Sequence, residues 1–96
     1  MREVSKTAEF QKWLDGLNDA RAYARIETRL FRLGLGFPGD VKSVGKGVSE
    51  LRIDYGPGYR VYFTKRGKLL IFILAGGDKR TQAKDIQIAI KLASTL

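Results

Sequence analysis

The sequence predicts an α+β fold in which two helices precede a small antiparallel sheet of about four to five strands, and a further helix ends the chain. Two observations support this order. The first 33 residues contain one glycine and have apolar residues at helical spacing, whereas residues 34–77 contain ten glycines between short apolar or alternating runs. Few glycines favour helices, and regular glycines between such runs favour strands and hairpins. Because the chain has 96 residues, we expect one domain over residues 1–96.

Each predicted helix has a start signal and an apolar face. Thr7 and Asp19 have side chains that cap helix N-termini, and Gly34 and Gly36 stand where glycines would end the second helix near Leu33. A third helix is expected from Thr81. The apolar faces, which we expect in the core, are Phe10, Trp13, Leu14 and Leu17, then Tyr23, Ile26, Leu30 and Leu33, and last Ile86, Ala89, Ile90 and Ala93.

Strands are predicted from alternating or continuous apolar runs between glycines. These runs are residues 2–4, 41–44, 48–55, 59–65 and 69–74. Alternation in the two central strands defines a core face that we expect to pack on the helices. This face consists of Leu51, Ile53, Val61 and Phe63.

The loop between the two central strands decides which polar side chains meet. If residues 56–58 form a three-residue loop, Arg52 lies opposite Tyr62 and Asp54 lies opposite Arg60. Two guanidinium groups beside a phenol on a rigid sheet would make a surface for phosphate binding and proton transfer. The alternative is an ordinary exposed sheet face with an Asp54–Arg60 cross-strand pair.

A second turn affects the same face. A two-residue turn at residues 66–67 would put Ile71 and Ile73 beside Arg60 and Tyr62. We then expect this face to be partly apolar and to be covered either by the final helix or by a partner segment.

Composition restricts the chemistry. The chain has neither His nor Cys, and its formal net charge is +8. These absences exclude a disulfide framework, a thiolate nucleophile, a His-based triad and a His/Cys zinc site. Residues 37–80 contain nine basic and four acidic side chains, a net charge of +5, which indicates a polyanion or an acidic protein as partner. We expect a cytoplasmic protein, since nothing resembles a signal peptide or a membrane span.

Three motifs resemble those of a known family. They are ELRI at residues 50–53, GPGYRVYF at residues 56–63, and GGDKRTQ at residues 76–82 with Asp85 and Ile86 after it. This series is similar to the RelE/ParE superfamily, and most closely to its HigB-like, phage-related addiction module killer branch of type II toxin–antitoxin toxins. The resemblance covers nearly the whole chain. It implies a RelE-like fold, with two N-terminal helices packed on the sheet and a C-terminal helix.

The resemblance also implies a function. Relatives are ribosome-dependent mRNA endonucleases in which a ribose 2′-OH attacks the adjacent phosphate, and a cognate antitoxin, typically a helix-turn-helix protein, neutralises them. The partners would then be the ribosome, mRNA and antitoxin, with no membrane, no metal and no organic cofactor. Two alternatives stay open. One is a ParE-like DNA gyrase poison without nuclease activity, and the other is an inactive relative that binds antitoxin or nucleic acid.

Five residues are candidate catalytic groups on this basis. Arg60 matches the strand arginine that is credited with transition-state stabilisation in the superfamily. Lys79 or Arg80 matches the functional basic residue after the last strand. Arg52 is a candidate phosphate ligand from its position, and Tyr62 is a candidate from its expected neighbours.

The usual proton-transfer groups of the family are missing. Relatives use a Tyr near the final helix or histidines, but this chain has no Tyr after residue 62 and no His. Asp85, in the first turn of the last helix, could act as an acid or base, or could only stabilise the helix dipole.

Four further basic residues are candidate RNA ligands. Lys42 and Lys46 belong to the basic central segment, and Arg25 and Arg29 belong to a ridge of arginines at near-helical spacing on the second helix. The functional interpretation is salt-dependent contact with RNA phosphates. The alternative is a solvated helix face.

Overall fold

The computed structural model describes all 96 residues, which form three α-helices and a five-stranded mixed sheet. The α+β class predicted from the sequence is confirmed. The strands are β1 (Glu3–Lys6), β2 (Val41–Gly45), β3 (Val48–Ile53), β4 (Tyr59–Arg66) and β5 (Leu70–Gly77). The helices are α1 (Ala8–Asp15), α2 (Ala20–Leu35) and α3 (Gln82–Ser94), with a short 3₁₀ helix at Lys79–Thr81. None of the α-helices combines the length and the apolar character that crossing a membrane requires.

Both predicted N-caps are confirmed. The Thr7 hydroxyl accepts a hydrogen bond from the Phe10 N–H at 3.1 Å, and one Asp19 oxygen accepts from two backbone N–H groups of the first turn of α2. Helix α2 continues past Gly34 and ends at Gly36, which has a left-handed φ of 96°. Gly34 lies within the helix, where a Cβ atom would come within 3.2 Å of Val4 of β1, so there the missing side chain allows close packing.

The sheet has the order β1-β5-β4-β3-β2, in which β2 to β5 are antiparallel neighbours and β1 is parallel to β5. The prediction of an antiparallel sheet is therefore wrong for β1. Two helices and three strands separate β1 from β5 in the chain, so no hairpin turn imposes an antiparallel direction on this pair. Backbone bonds from Arg2 N to Gly34 O (2.9 Å) and from Glu3 N to Leu69 O (2.6 Å) fix β1 at the edge.

The register between β3 and β4 differs from the predicted one. Ile53 pairs with Tyr59, so the loop has five residues and not three, and Arg52 lies opposite Arg60. Asp54 is exposed in the loop, and the predicted Asp54–Arg60 pair does not form. Tyr55 lies beyond the end of β3, and its phenol donates to Asp19 at 2.9 Å, at the start of α2. The shift is an even number of residues, so the predicted faces are unchanged.

The turn between β4 and β5 changes the faces. Arg66 pairs with Leu70, so residues 67–69 form a three-residue turn and not a two-residue one. This odd shift moves Ile71 and Ile73 to the face of Phe63, against α1 and α2. The prediction that they lie beside Arg60 and Tyr62 is wrong.

The sheet separates two apolar cores. Helices α1 and α2 cover one face, and α3 covers the other, so of the two covers expected for that second face it is the final helix that occupies it. The predicted core face of β3 and β4 is confirmed. The first core contains Phe10, Leu14, Ile26, Leu30, Leu33, Leu51, Ile53, Val61, Phe63, Ile71 and Ile73. The second contains Val48, Tyr62, Leu74, Ala75, Ala89 and Ala93.

Trp13 fixes α1 on the sheet. Its indole lies against the backbone of Gly76 so closely that a Cβ atom at Gly76 would overlap it. Its ring centroid is 5.8 Å from that of Phe10 and 6.0 Å from that of Tyr59. Phe10 is fully buried as predicted, whereas Trp13 is only half-buried.

Candidate functional site

A pocket of about 360 Å³ opens where β3 ends, β4 begins and the five-residue loop turns between them. We call it the basic pocket. Residues 56–58 of the loop form part of its wall, and the rest is mostly charged. The charged side chains of the lining are Arg52, Arg60, Lys79, Asp40 and Asp54.

The strand register brings the two arginines of the pocket together. Arg52 of β3 and Arg60 of β4 are direct cross-strand partners. Like charges in this position repel each other unless carboxylates compensate them. One carboxylate is Asp40, whose Oδ1 is 3.6 Å from Arg52 Nε and whose carbonyl accepts a 2.9 Å hydrogen bond from the Arg52 N–H.

The second compensating carboxylate is Glu50, which is buried behind the arginines with 1% exposure. Its Oε1 is 3.8 Å from Arg52 Nε and 3.7 Å from Arg60 Nε. Its Oε2 accepts hydrogen bonds from Gln82 Nε2 at 2.7 Å and from the Tyr62 hydroxyl at 3.1 Å. A buried carboxylate requires such compensation. Glu50 therefore orients both guanidinium groups from inside the protein.

Arg60 is held rigidly and is 8% exposed. Its Nη1 donates to the carbonyl oxygens of Gly58 and Tyr59, each at 3.3 Å. The buried Nε atoms of Arg60 and Arg52 both lack a hydrogen-bond acceptor. Both Nε atoms instead face the Glu50 carboxylate at 3.7 and 3.8 Å, so they interact with it by charge and not by a hydrogen bond.

Tyr62 does not lie on an open surface, because the final helix, one of the two covers expected for this face, packs over it. It is fully buried. Burial, followed by the nearby Glu50 carboxylate, raises the pKa of the Tyr62 phenol above its ordinary value. A phenol of this kind is a poor proton acceptor at neutral pH. Its role here is to position Glu50.

The structure separates Lys79 from Arg80, which the sequence could not do. The aliphatic part of the Lys79 side chain packs over Gly58, where a Cβ atom would meet three of its carbons at 3.1–3.2 Å. This contact sets Lys79 at the basic pocket. Arg80 instead pairs with Asp78 at 2.9 Å and is 82% exposed. The Arg80 guanidinium holds the pKa of Asp78 below its ordinary value.

Asp85 lies against the end of β5 and does not line the basic pocket. It is buried, accepts a hydrogen bond from the Thr81 hydroxyl, and sits against the Gly77 backbone, which has no room there for a side chain. This environment fits the structural interpretation of Asp85, in which it stabilises the start of α3.

Two of the candidate RNA ligands lie beside the basic pocket. Arg25 and Arg29 line a groove of about 430 Å³ that shares Ile53 and Asp54 with that pocket. Arg25 is exposed, with its guanidinium 4.7 Å from the centre of the Tyr55 ring. Arg29 donates to the Arg52 carbonyl at 2.7 Å, and burial lowers its pKa below the ordinary value. Arg29 thus connects α2 to β3 as well as lining the groove.

The other two candidate RNA ligands are exposed at the sheet edge that β2 forms beside β3. Lys42 lies on the edge strand β2 opposite Glu50. Lys46 lies in the β2–β3 turn with a left-handed φ of 57°, at the end of β3 away from the basic pocket. The structure therefore does not bring Lys46 together with Arg52 and Arg60.

Three site residues were missed by the sequence argument. The signal for Glu50 was present, because alternation puts it on the face of Arg52, but its burial depends on α3. Gln82 comes from the start of α3 and reaches Glu50 across 32 positions of the chain. Asp40 precedes β2 and has no local signal.

The chain is similar along nearly its whole length to an uncharacterised protein of Haemophilus influenzae. The two are 48% identical over 94 residues, which is 98% of this chain and 95% of the relative. No protein-family model matches the chain.

Proposed function

We propose a function for the family to which this chain belongs together with the Haemophilus influenzae protein. The function is that of a HigB-like toxin of the RelE/ParE superfamily, a ribosome-dependent mRNA endonuclease that blocks translation until its antitoxin binds. The observation that carries the proposal is the convergence of Arg52, Arg60 and Lys79 at one pocket. The three motifs and the order of helices and antiparallel strands support the same assignment.

The pocket has the groups that phosphate chemistry needs. Guanidinium groups bind phosphate oxygens with two parallel hydrogen bonds, and the Lys79 ammonium adds a point charge. When the 2′-OH attacks, negative charge grows on the phosphate oxygens, and fixed cations stabilise that charge most in the transition state. Because Arg52 and Arg60 are held by Glu50, they need little rearrangement for this task.

Proton transfer falls to the carboxylates of the pocket. Asp40 and Asp54 line it and are exposed, so either can accept the proton of a 2′-OH group as its oxygen bonds to phosphorus. The P–O5′ bond then breaks, the 5′ oxygen takes a proton from the carboxylic acid so formed or from water, and a 2′,3′-cyclic phosphate remains. This chemistry uses no metal and no organic cofactor. Its substrate and its antitoxin, a helix-turn-helix protein in this branch, are cytoplasmic, and so is the toxin in this proposal.

The proposal is tested on programmed ribosomes. Purified protein is added, and primer extension detects new 5′ ends at the A-site codon. We expect cleavage by the wild type and at least about tenfold slower cleavage by Arg52→Gln and by Lys79→Gln. Lys91→Gln, which removes an exposed charge of α3 outside the pocket, is the matched control and should cleave like the wild type. Absence of cleavage by the folded wild type would reject the endonuclease.

One observation favours a second candidate, the ParE-like gyrase poison. The phenol proposed for proton transfer is buried and its pKa is raised, which suits a toxin that binds without cutting RNA. Inhibition of gyrase supercoiling without ribosomal cleavage would favour this candidate. If neither activity is found, the inactive relative that binds antitoxin or nucleic acid remains.

A further inference from the structure

A second pocket adjoins the basic pocket and differs from it in character. It has a volume of about 590 Å³ and shares Pro57 with the basic pocket. Its lining includes the aromatic rings of Trp13 and Tyr59 and two exposed cations, Lys12 and Arg80. We call it the aromatic pocket.

The two rings are held in place and remain partly open. They meet edge to face, with centroids 6.0 Å apart and planes at 68°. Trp13 is fixed from below by its close contact with Gly76 and from the side by Phe10. Both rings are half-buried, so each keeps part of its surface for a ligand. Such an arrangement offers apolar stacking area at little cost in side-chain entropy.

The chain itself links the two pockets. Gly58 lines the basic pocket, and the next residue, Tyr59, lines the aromatic pocket. In the same way Lys79 lines the basic pocket and its neighbour Arg80 lines the aromatic pocket. Consecutive Cα atoms are about 3.8 Å apart. The pockets are therefore close enough for one nucleotide to put its phosphate in the first and its base in the second.

The charges of the aromatic pocket are compatible with a nucleic acid. Its two acids are Glu9 and Asp78, and Asp78 is already paired with Arg80 at 2.9 Å. Lys12 adds a cation near the rings. Aromatic side chains between basic groups are the common means of binding single strands, because every base has a π face that can stack.

We propose that the aromatic pocket binds the base of the nucleotide whose phosphate lies in the basic pocket, and that its ligand is single-stranded RNA. The inference rests on the proposed function, and it assigns Trp13 and Tyr59 to substrate binding in addition to packing. Stacking on these rings would position the nucleotide for attack at its phosphate and would make cleavage sensitive to the presence of a base.

Trp13 provides a direct test, because it is the single tryptophan of the chain. The protein is titrated with a trinucleotide RNA and with the same RNA lacking its middle base, which has equal charge; a 2′-deoxy sugar at the cleavage position prevents turnover in both. We expect the complete RNA to change Trp13 fluorescence and to bind at least about fivefold more tightly than the abasic RNA.

Variants of Tyr59 separate stacking from folding. Tyr59→Leu should remove most of the difference between the two RNAs, while Tyr59→Phe should preserve it. Phe37→Leu replaces an aromatic residue that is 70% exposed and lies outside both pockets, so it is the matched control and should bind like the wild type. The comparison of the two RNAs with wild-type protein needs no variant and stays valid if Tyr59→Leu is unstable.

The outcomes separate this inference from the proposed function. Equal binding of the two RNAs without a change in Trp13 fluorescence would overturn the base pocket, and so would failure of both to bind. Cleavage on programmed ribosomes would in either case still support the endonuclease. Base-dependent fluorescence without ribosomal cleavage would support the base pocket and reject the endonuclease.

Discussion

The phenol of Tyr62 donates a hydrogen bond of 3.1 Å to Glu50, directly across the β3–β4 ladder. Both side chains are buried beneath α3. The other oxygen of the same carboxylate lies within 3.8 Å of Arg52 and Arg60. A buried hydrogen bond on one side of Glu50 therefore fixes the two cations on the other side, and the packing of α3 determines the geometry of the basic pocket.

The first prediction concerns alkaline stability. Burial first, and the Glu50 charge second, raise the pKa of Tyr62 above its ordinary value of 10.0. In the unfolded chain the phenol ionises near that value. Its contribution to the free energy of unfolding is therefore complete below pH 10.0. Above that pH the contribution falls by about 1.4 kcal/mol per pH unit. Tyr62→Phe should lower the free energy of unfolding by about 2 kcal/mol at neutral pH, but should lack this alkaline loss.

Urea unfolding of both proteins between about pH 8 and about pH 11 checks this prediction. The difference between wild type and variant should shrink as the pH rises, because only the wild type loses the contribution of the phenol. Since both proteins share every other titrating group, those groups cancel in the difference. A constant difference over this range would show that Tyr62 titrates normally.

The second prediction concerns the Arg60–Glu50 pair. Arg60→Ala would leave the buried Glu50 carboxylate with only Arg52 as a charged neighbour, and we expect a cost of about 3 kcal/mol. Glu50→Gln would leave the facing guanidinium groups of Arg52 and Arg60 without the carboxylate that lies between them and the core. The double variant lacks both charges of the pair. The remaining guanidinium, that of Arg52, still has the Asp40 carboxylate at 3.6 Å. The cost of the double variant should be smaller than the sum of the single costs by about 1–3 kcal/mol.

Denaturant unfolding of the four proteins gives this coupling directly. Strictly additive costs would mean that the pair, at 3.7 Å, does not interact. The stability of Arg60→Ala also determines how its cleavage rate is interpreted. A loss of cleavage by Arg60→Ala can be attributed to transition-state stabilisation only at a temperature where the variant is shown to be folded.

The third prediction concerns the contact between α1 and β5. Gly76→Ala would push a methyl group into the Trp13 indole, and overpacking of this kind costs about 1–3 kcal/mol. The control is Gly16→Ala, where the nearest atoms to a Cβ are backbone oxygens at 3.4 and 3.5 Å and φ is −82°. Thermal unfolding and Trp13 fluorescence should change for the first variant and barely for the second. Equal behaviour would show that Trp13 moves aside freely.

Sequence patterns predicted the parts of this fold that depend on neighbours in the chain. The caps at Thr7 and Asp19 and the core faces of the helices follow from local spacing, and an error of two residues in the β3–β4 loop left the faces intact. The β4–β5 turn was different, because an error of one residue exchanges the faces. The predicted two-residue turn therefore places Ile71 on the wrong face.

The site was predictable where it depends on one hairpin and not where it depends on long-range packing. Arg52 and Arg60 share a face by alternation alone. The burial of Tyr62 and Glu50, however, depends on α3, whose first residue Gln82 contacts Glu50. The division of Lys79 and Arg80 between two pockets depends on the close approach of Lys79 to Gly58. Neither contact leaves a local signal in the sequence.

The last prediction concerns the charge of Lys79. If Lys79 binds a phosphate, Lys79→Gln should weaken binding of the 2′-deoxy-protected trinucleotide and reduce the slope of log K against log salt by about 0.7, the value for one phosphate contact with a single strand. Lys91→Gln has the same change in net charge outside the pocket, so it should keep the wild-type slope. Trp13 fluorescence at several salt concentrations measures both. Equal slopes for the two variants would mean that Lys79 acts only through the overall charge of +8, and the basic pocket would then lose its third cation.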